Sequence, residues 1–236
     1  MTAVISAIKT TPVLVPFRRP PVTASGSVNE LPLVLLDVET DAGITGHAYL
    51  FVFLPSMLKP TVDCVAAVEE LVQGMTADPE QADPMLRKRL RLLDIHGILG
   101  QVLAGLDMAL WDIQAKTREL PLAQVLGQKR DAMQTYNSCG LWLDKGDPEK
   151  LAEQAQELLA EGGFNAFKLR LGYESFDEDL AAVRAVKRRC GDSVDLMSDF
   201  NQGLDQDEAL RRCQGLDLSL IHISEPTRLG MLSYAV

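Results

Sequence analysis

The chain has 236 residues, 47% of them hydrophobic, and a formal net charge of −10. That length allows one large domain or two small ones, with ample apolar material for a packed core. The negative charge argues against nucleic acid or an anionic membrane as partner, since both require a basic face, and leaves small molecules as the better class of ligand.

No apolar run approaches the roughly 20 residues of a membrane span. The N-terminus lacks the basic flank and small-residue cleavage site of a signal peptide. Cys64, Cys139, Cys190 and Cys213 are scattered, with no Cys-x-x-Cys, which suits free thiols in a reducing compartment. His47, His96 and His222 show no ligand-like spacing, so a zinc site is not expected. A cytoplasmic protein is.

Residues 3–17 alternate loosely, and 33–40 form a clearer strand that stops at Asp41-Ala42-Gly43. The run 45–51 follows after a short turn, so the two read as a hairpin within an antiparallel sheet. Apolar spacing predicts helices over 61–75, 81–93 and 98–117. The last carries Leu99, Val102, Leu103, Leu106, Leu110 and Ile113 at intervals of three and four and should bury one broad face. Asp107 and Asp112 are five apart and do not share a face, so they read as surface or capping acids rather than a metal pair. Trp111 and Met108 read as packing residues.

Near residue 132 the texture changes to strand and helix in regular alternation. Strands are expected at 133–138, 165–171 and 194–199, with helices at 148–160, 177–190 and 206–214. Three βα units in series imply a parallel sheet with right-handed crossovers.

Within this series two strand ends stand out. Lys168 and Arg170 are two apart and project from one face, while Phe167, Leu169 and Leu171 point the other way. Asp199 and Asn201 end the next strand with the same spacing. A helix-joined parallel pair puts both ends on one side of the sheet, roughly 4.8 Å apart, so the cations of one can meet the carboxylate of the other. In parallel barrels that rim holds the active site. Polar residues also close strands merely on reaching solvent, but successive co-facial pairs of two cations, then an acid and an amide, are harder to produce by accident.

From its first strand to about Asp217 the chain resembles the mandelate racemase and muconate-lactonizing branch of the enolase superfamily. The likeness rests on Pro32-Leu33-Val34-Leu35 leading to Gly46-His47-Ala48-Tyr49-Leu50-Phe51, on Ala104-Gly105-Leu106-Asp107-Met108-Ala109-Leu110-Trp111-Asp112, on Lys168-Leu169-Arg170 and on Asp199-Phe200-Asn201-Gln202. The resemblance implies an α+β capping domain (residues 1–131) followed by the first part of a (β/α)7β TIM-type barrel (132–217), with only three βα units. It also implies Mg2+ as cofactor, a small-molecule carboxylate substrate, and a homo-oligomer. The implied chemistry is removal of the proton α to the carboxylate, giving an enediolate whose developing charge the metal stabilises.

By the same resemblance Asp199 is the first of three acidic metal ligands, and Lys168 is the first lysine of a Lys-x-Lys pair. Asn201 shapes the site, Ser138 contacts the substrate carboxylate, and segments 22–28 and 47–55 close over the substrate with Phe53 as an apolar wall. Arg170 departs from the pattern, standing where the racemases carry a second lysine that acts as base. Guanidinium keeps its proton at any working pH, which disfavours two-base racemisation. Arg170 is left to hold a substrate carboxylate by a bidentate contact, or Lys168 to act as the base.

The tail reads differently. Leu218-Ser219-Leu220-Ile221-His222-Ile223-Ser224-Glu225-Pro226-Thr227-Arg228 resembles a translated transposase adapter of shotgun sequencing libraries. The adapter's later codons fit Ser233-Tyr234-Ala235-Val236, with Leu232 as a mismatch. Residues 218–236 are therefore expected to be a non-native tail, and Glu225 is not counted as a ligand, although Ser224-Glu225-Pro226 mimics a Glu-Glu-Pro motif of relatives.

Three readings follow: a magnesium-dependent enzyme abstracting the α-proton of a small 2-hydroxy acid, a sugar-acid (aldonate or aldarate) dehydratase that needs one base only, and a truncated product without catalysis as written. Re-amplifying the source DNA across the Asp217 codon is expected to give an open frame of about 130 to 160 further residues, the complement of a barrel of roughly 250. A natural stop codon just after Val236 in independently prepared DNA, with residues 218–236 intact, would refute the adapter reading.

Overall fold

The computed structural model describes residues 3–18, 20, 22–23, 26–93, 95–138, 147–201, 203–217 and 223–225. The chain divides into two compact units, Met1–Phe17 with Glu30–Asp131, and Arg18–Asn29 with Ala132–Val236. Among the expectations, those for Cys139, Gln202 and, in the tail, residues 218–222 and 226–236 lie outside the described residues, as do Ala24 and Ser25 of the segment 22–28.

The first unit opens with β1 (Ile5–Pro16). A two-rung antiparallel hairpin of β2 (Val22–Thr23) and β3 (Gly26–Ser27), belonging to the second unit, intervenes. The first unit then resumes with β4 (Glu30–Thr40) and β5 (Thr45–Phe51), making an antiparallel sheet of order β1-β4-β5. Period-two alternation sets its register: Val34, Leu36 and Val38 are buried, while Leu33, Leu35 and Asp37 turn outward. The β4–β5 turn is closed by Thr40, whose hydroxyl donates to Ile44 O (2.7 Å) and accepts from Ile44 N (3.2 Å).

Three helices cover the buried face: α1 (Leu58–Val72), α2 (Pro79–Arg89) and α3 (Gly97–Thr117). Val65, Val68 and Val72 of α1, Ala82 and Leu86 of α2, and Leu103, Leu106, Leu110 and Ile113 of α3 join the sheet in one core. Gly46 lets α3 approach β5 closely, since a Cβ there would lie 2.1 Å from Ala109 O. The short α4 (Leu122–Val125) follows.

Three expectations need adjusting here. Met108 is 47% exposed and does not pack into the core. Asp112 caps nothing: it accepts from His47 N (2.8 Å) and Lys116 Nζ (2.6 Å), bracketing α3 to β5. Lys116 and the His47 N–H hold its carboxyl below the ordinary value against the opposing effect of burial. The second helix starts at Pro79 because the Asp78 side chain caps it, accepting from Glu80 N at 3.0 Å, and it ends at Arg89, before the exposed Leu92.

The second unit alternates: α5 (Pro148–Gly162), β6 (Ala166–Arg170), α6 (Phe176–Cys190), β7 (Asp195–Asp199), α7 (Gln206–Asp217) and β8 (Ile223–Glu225). β6, β7 and β8 pair in parallel in that order. The part of the tail that is described thus joins the sheet, with Met197 level with Ile223 and Asp199 with Glu225. The strand expected over 133–138 is reduced to one parallel bridge, Asn137 to Phe167, and Met133 is 70% exposed. That run offers only Met133 and Tyr136 as large apolar residues, too few to bury a strand face.

Local chemistry sets the helix ends. Ser175 and Glu178 form a reciprocal capping box at the start of α6, and Gly163 ends α5 in the left-handed region at φ 65°. Phe167, Leu169 and Leu171 pack with Leu151, Val183, Val186 and Leu196 in a second core, which fixes the opposite face of β6 for Lys168 and Arg170.

A buried ionic network clamps the turn after β6. Asp179 Oδ1 accepts from Gly172 N (2.9 Å) and Tyr173 N (3.1 Å), and its Oδ2 accepts from Arg212 Nη1. Arg212 also donates to Tyr173 O (3.0 Å) and through Nε to Glu208. Both members of the central pair are almost fully buried, so each compensates the other's lost hydration. Among the described residues, no helix is long and apolar enough to cross a membrane.

Candidate active site

The parallel register sets Lys168 level with Met197 and Arg170 level with Asp199, so these four side chains share one face at the C-terminal ends of adjacent strands. Leu171 N donates to Asp199 O (3.0 Å), which ties the strand ends together just beyond the cations. Lys168 Nζ stands 3.1 Å from Asp199 Oδ2, and Arg170 Nη1 stands 3.9 Å from the same oxygen. The Lys168, Arg170 and Asp199 side chains are 13%, 19% and 7% exposed, so water screens their attraction only weakly.

Asn201 completes the cluster. Its backbone N donates to Asp199 Oδ1 (2.8 Å), its Nδ2 to Asp199 Oδ2 (3.3 Å), and its Oδ1 accepts from Arg170 Nη1 (2.9 Å). Asn201 takes the left-handed conformation, φ 46°, which lets the chain double back so that its own N–H reaches the carboxylate two residues earlier. Such a conformation costs a non-glycine residue of order 1 kcal/mol. The intervening Phe200 is buried in the second core and anchors the turn.

Of the residues singled out from the sequence, Lys168, Arg170, Asp199 and Asn201 are brought together. Ser138 lies one residue beyond the bridge at Asn137, whose O accepts from Lys168 N (2.9 Å), so it stands beside the cluster on the neighbouring chain segment. Phe53 belongs to the first unit, where it is 64% exposed, adopts φ 61° and sets its ring 4.2 Å from that of Phe51. Sequence reasoning missed Tyr136, whose ring lies 5.9 Å from Lys168 Nζ, within cation–π range. Its spacing of two from Ser138 was the available signal.

The cluster offers an anion two cationic donors and offers chemistry one amine, while Asp199 balances part of the charge. Among the described residues, no group of three or more His, Cys, Asp or Glu side chains stands close enough to hold a metal ion.

Residues 5–127 match the family described as mandelate racemase / muconate lactonizing enzyme, N-terminal domain, which is more than half of the chain. The chain belongs to that family. Residues 150–235 match the enolase C-terminal domain-like family, which places the chain in the enolase superfamily, with a capping domain followed by part of a barrel.

Two solved members are similar throughout. An enolase from an alpha proteobacterium, bal199, crystallised with bound magnesium, is 34% identical with a TM-score of 0.88, over 98% of this chain and 64% of that one. An enolase from Bradyrhizobium, complexed with magnesium and mandelic acid, is 33% identical with a TM-score of 0.86, over 97% and 62%. L-talarate/galactarate dehydratase of Salmonella typhimurium is 28% identical over 204 residues, 84% of this chain and 50% of the relative. Other curated relatives are named as epimerases, racemases and cycloisomerases, so membership makes this an enzyme family without fixing the reaction. The chain spans about half the length of the first curated relatives it matches, 50% and 54%.

Replacing Asp199 by Asn keeps the shape of the cluster and removes the carboxylate that faces Lys168 and Arg170, leaving these as neighbouring cations. Asp199→Asn is expected to cost about 3 kcal/mol in urea unfolding. Combining it with Lys168→Met should recover part of that loss, because the pair is coupled. An unchanged midpoint in the single variant would contradict the assignment of Asp199 as counter-ion.

Proposed function

We propose that the whole protein is a Mg2+-dependent enzyme that abstracts the proton α to the carboxylate of a small 2-hydroxy acid. The observation that supports this reading most is the cluster of Lys168, Arg170, Asp199 and Asn201 on one face at two adjacent parallel strand ends. Magnesium is bound in both of the similar structures described above. Asp199 is the hard oxygen donor this ion takes, but it is a single carboxylate faced by two cations, so the described residues do not by themselves fit the ion. The 236-residue chain alone is accordingly proposed to be inactive.

On this reading Ser138 and Arg170 hold the substrate carboxylate and Asn201 shapes the site. Lys168 is the base. It takes the proton from the α-carbon, the C–H electron pair passes into the adjacent carboxylate, and Nζ becomes an ammonium. Arg170 cannot share that task, since guanidinium does not give up its proton at working pH. To accept a proton Lys168 must first be a neutral amine, so the ammonium paired with Asp199 at 3.1 Å has to release one proton to solvent before it takes the one from the α-carbon.

Arg170 also motivates a second reading, in which one base removes the α-proton and hydroxide leaves from the β-carbon of an aldonate or aldarate. Relatives named as sugar-acid dehydratases are in keeping with it.

Both are tested by incubating the full-length protein in deuterated water with mandelate and with a panel of aldonates and aldarates, followed by NMR. The first reading expects deuterium at the α-carbon of a 2-hydroxy acid, falling by a factor of about 100 or more in Lys168→Ala. Loss of water from a sugar acid without α-exchange of mandelate would favour the second, and activity unaffected by Lys168→Ala would sink the role given to the base in either.

A further inference from the structure

Arg170 touches the cluster through Asn201 more closely than it touches Asp199: 2.9 Å to Asn201 Oδ1 against 3.9 Å to Asp199 Oδ2. The three groups differ in what they can do. A guanidinium only donates, an ionised carboxylate only accepts, and an amide does both from opposite ends. Asn201 must therefore turn its oxygen to Arg170 and its nitrogen to Asp199. The reverse orientation would set the amide nitrogen against a guanidinium and the amide oxygen against a carboxylate. Arg170 thus decides which way the amide faces, and the amide in turn reaches Asp199 Oδ2 while the Asn201 N–H holds Oδ1.

We infer that Arg170 is a positioning residue: through Asn201 it fixes the rotation of the Asp199 carboxylate. It concerns the same rim as the proposed function and rests on that reading only for its catalytic significance. The relay itself is a property of the folded chain. A guanidinium suits the task because its charge does not vary over the working pH range and its planar fork holds a fixed direction. An amine on the same strand face is a flexible point charge that the carboxylate itself would compete for.

The test uses the isotope-labelled 236-residue chain and needs no turnover, so it can fail or succeed independently of the substrate experiments. The Asn201 side-chain amide protons, assigned by their loss in Asn201→Ala, are followed by hydrogen exchange in the unaltered chain, Arg170→Met and Arg170→Lys. Their exchange is expected to rise by about tenfold or more in Arg170→Met, with the backbone amides of Lys168 and Leu171 unchanged, and to return only in small part in Arg170→Lys, whose flexible amine is drawn to the Asp199 carboxylate instead of the Asn201 oxygen. Restricted rotation of the Arg170 guanidinium, seen as resolved Nη signals, is expected in the unaltered chain and should be lost in Asn201→Ala. That second readout keeps the inference testable should Arg170→Met fail to fold. Unchanged Asn201 exchange in Arg170→Met, or equal loosening of the Lys168 and Leu171 amides, would overturn the inference. Free guanidinium rotation in the unaltered chain would do so as well.

Discussion

A single carboxylate shared between two cations is the constraint on which the candidate site depends. Asp199 meets Lys168 because parallel pairing puts their strands one ladder spacing apart, and it meets Arg170 because the register sets the two level. Each charge is costly to hold away from water, and the contacts that offset the cost come from the partners themselves and from the left-handed turn at Asn201. The polar face of β6 exists because its other face is used up: Phe167, Leu169 and Leu171 are fully buried against helices, leaving alternate positions to face the rim.

The rim is held from behind by charges that take no part in it. Asp179 receives two backbone N–H groups from the turn that follows β6, and Arg212 ties that turn to α7. The segment just beyond Arg170 therefore cannot shift without breaking a buried pair, which keeps the strand end in register with Asp199. Functional clusters need such support, since a small misplacement of a reacting group costs far more than the contact that prevents it.

Much of this was legible in the sequence where a short-range period carries the information. The hairpin of β4 and β5, the broad buried face of α3 and the co-facial pairs of β6 and β7 all follow from spacings of two, three and four. The contacts that escaped notice join residues far apart. Asp179 and Arg212 lie on different helices in polar surroundings and read as surface charges, yet both are buried. Met108 sits in an apolar stretch of α3 but on the outward side, because the buried stripe already has its full width. Residues 133–138 looked like a strand, but their side chains are mostly polar and only Asn137 pairs. The arginine at 170 was visible as a departure from the family pattern, while its engagement with Asn201 depends on a turn at φ 46° that no spacing rule encodes.

Asp199 is committed as an internal counter-ion to Lys168 and Arg170, and among the described residues it belongs to no group of three or more His, Cys, Asp or Glu side chains that could hold a metal ion. Calorimetric titration of the 236-residue chain with magnesium tests it most directly. Only weak, unsaturable heats are expected, no different in Asp199→Ala, because one carboxylate beside two cations cannot supply the several oxygens the ion requires. Saturable micromolar binding that disappears in Asp199→Ala would contradict it.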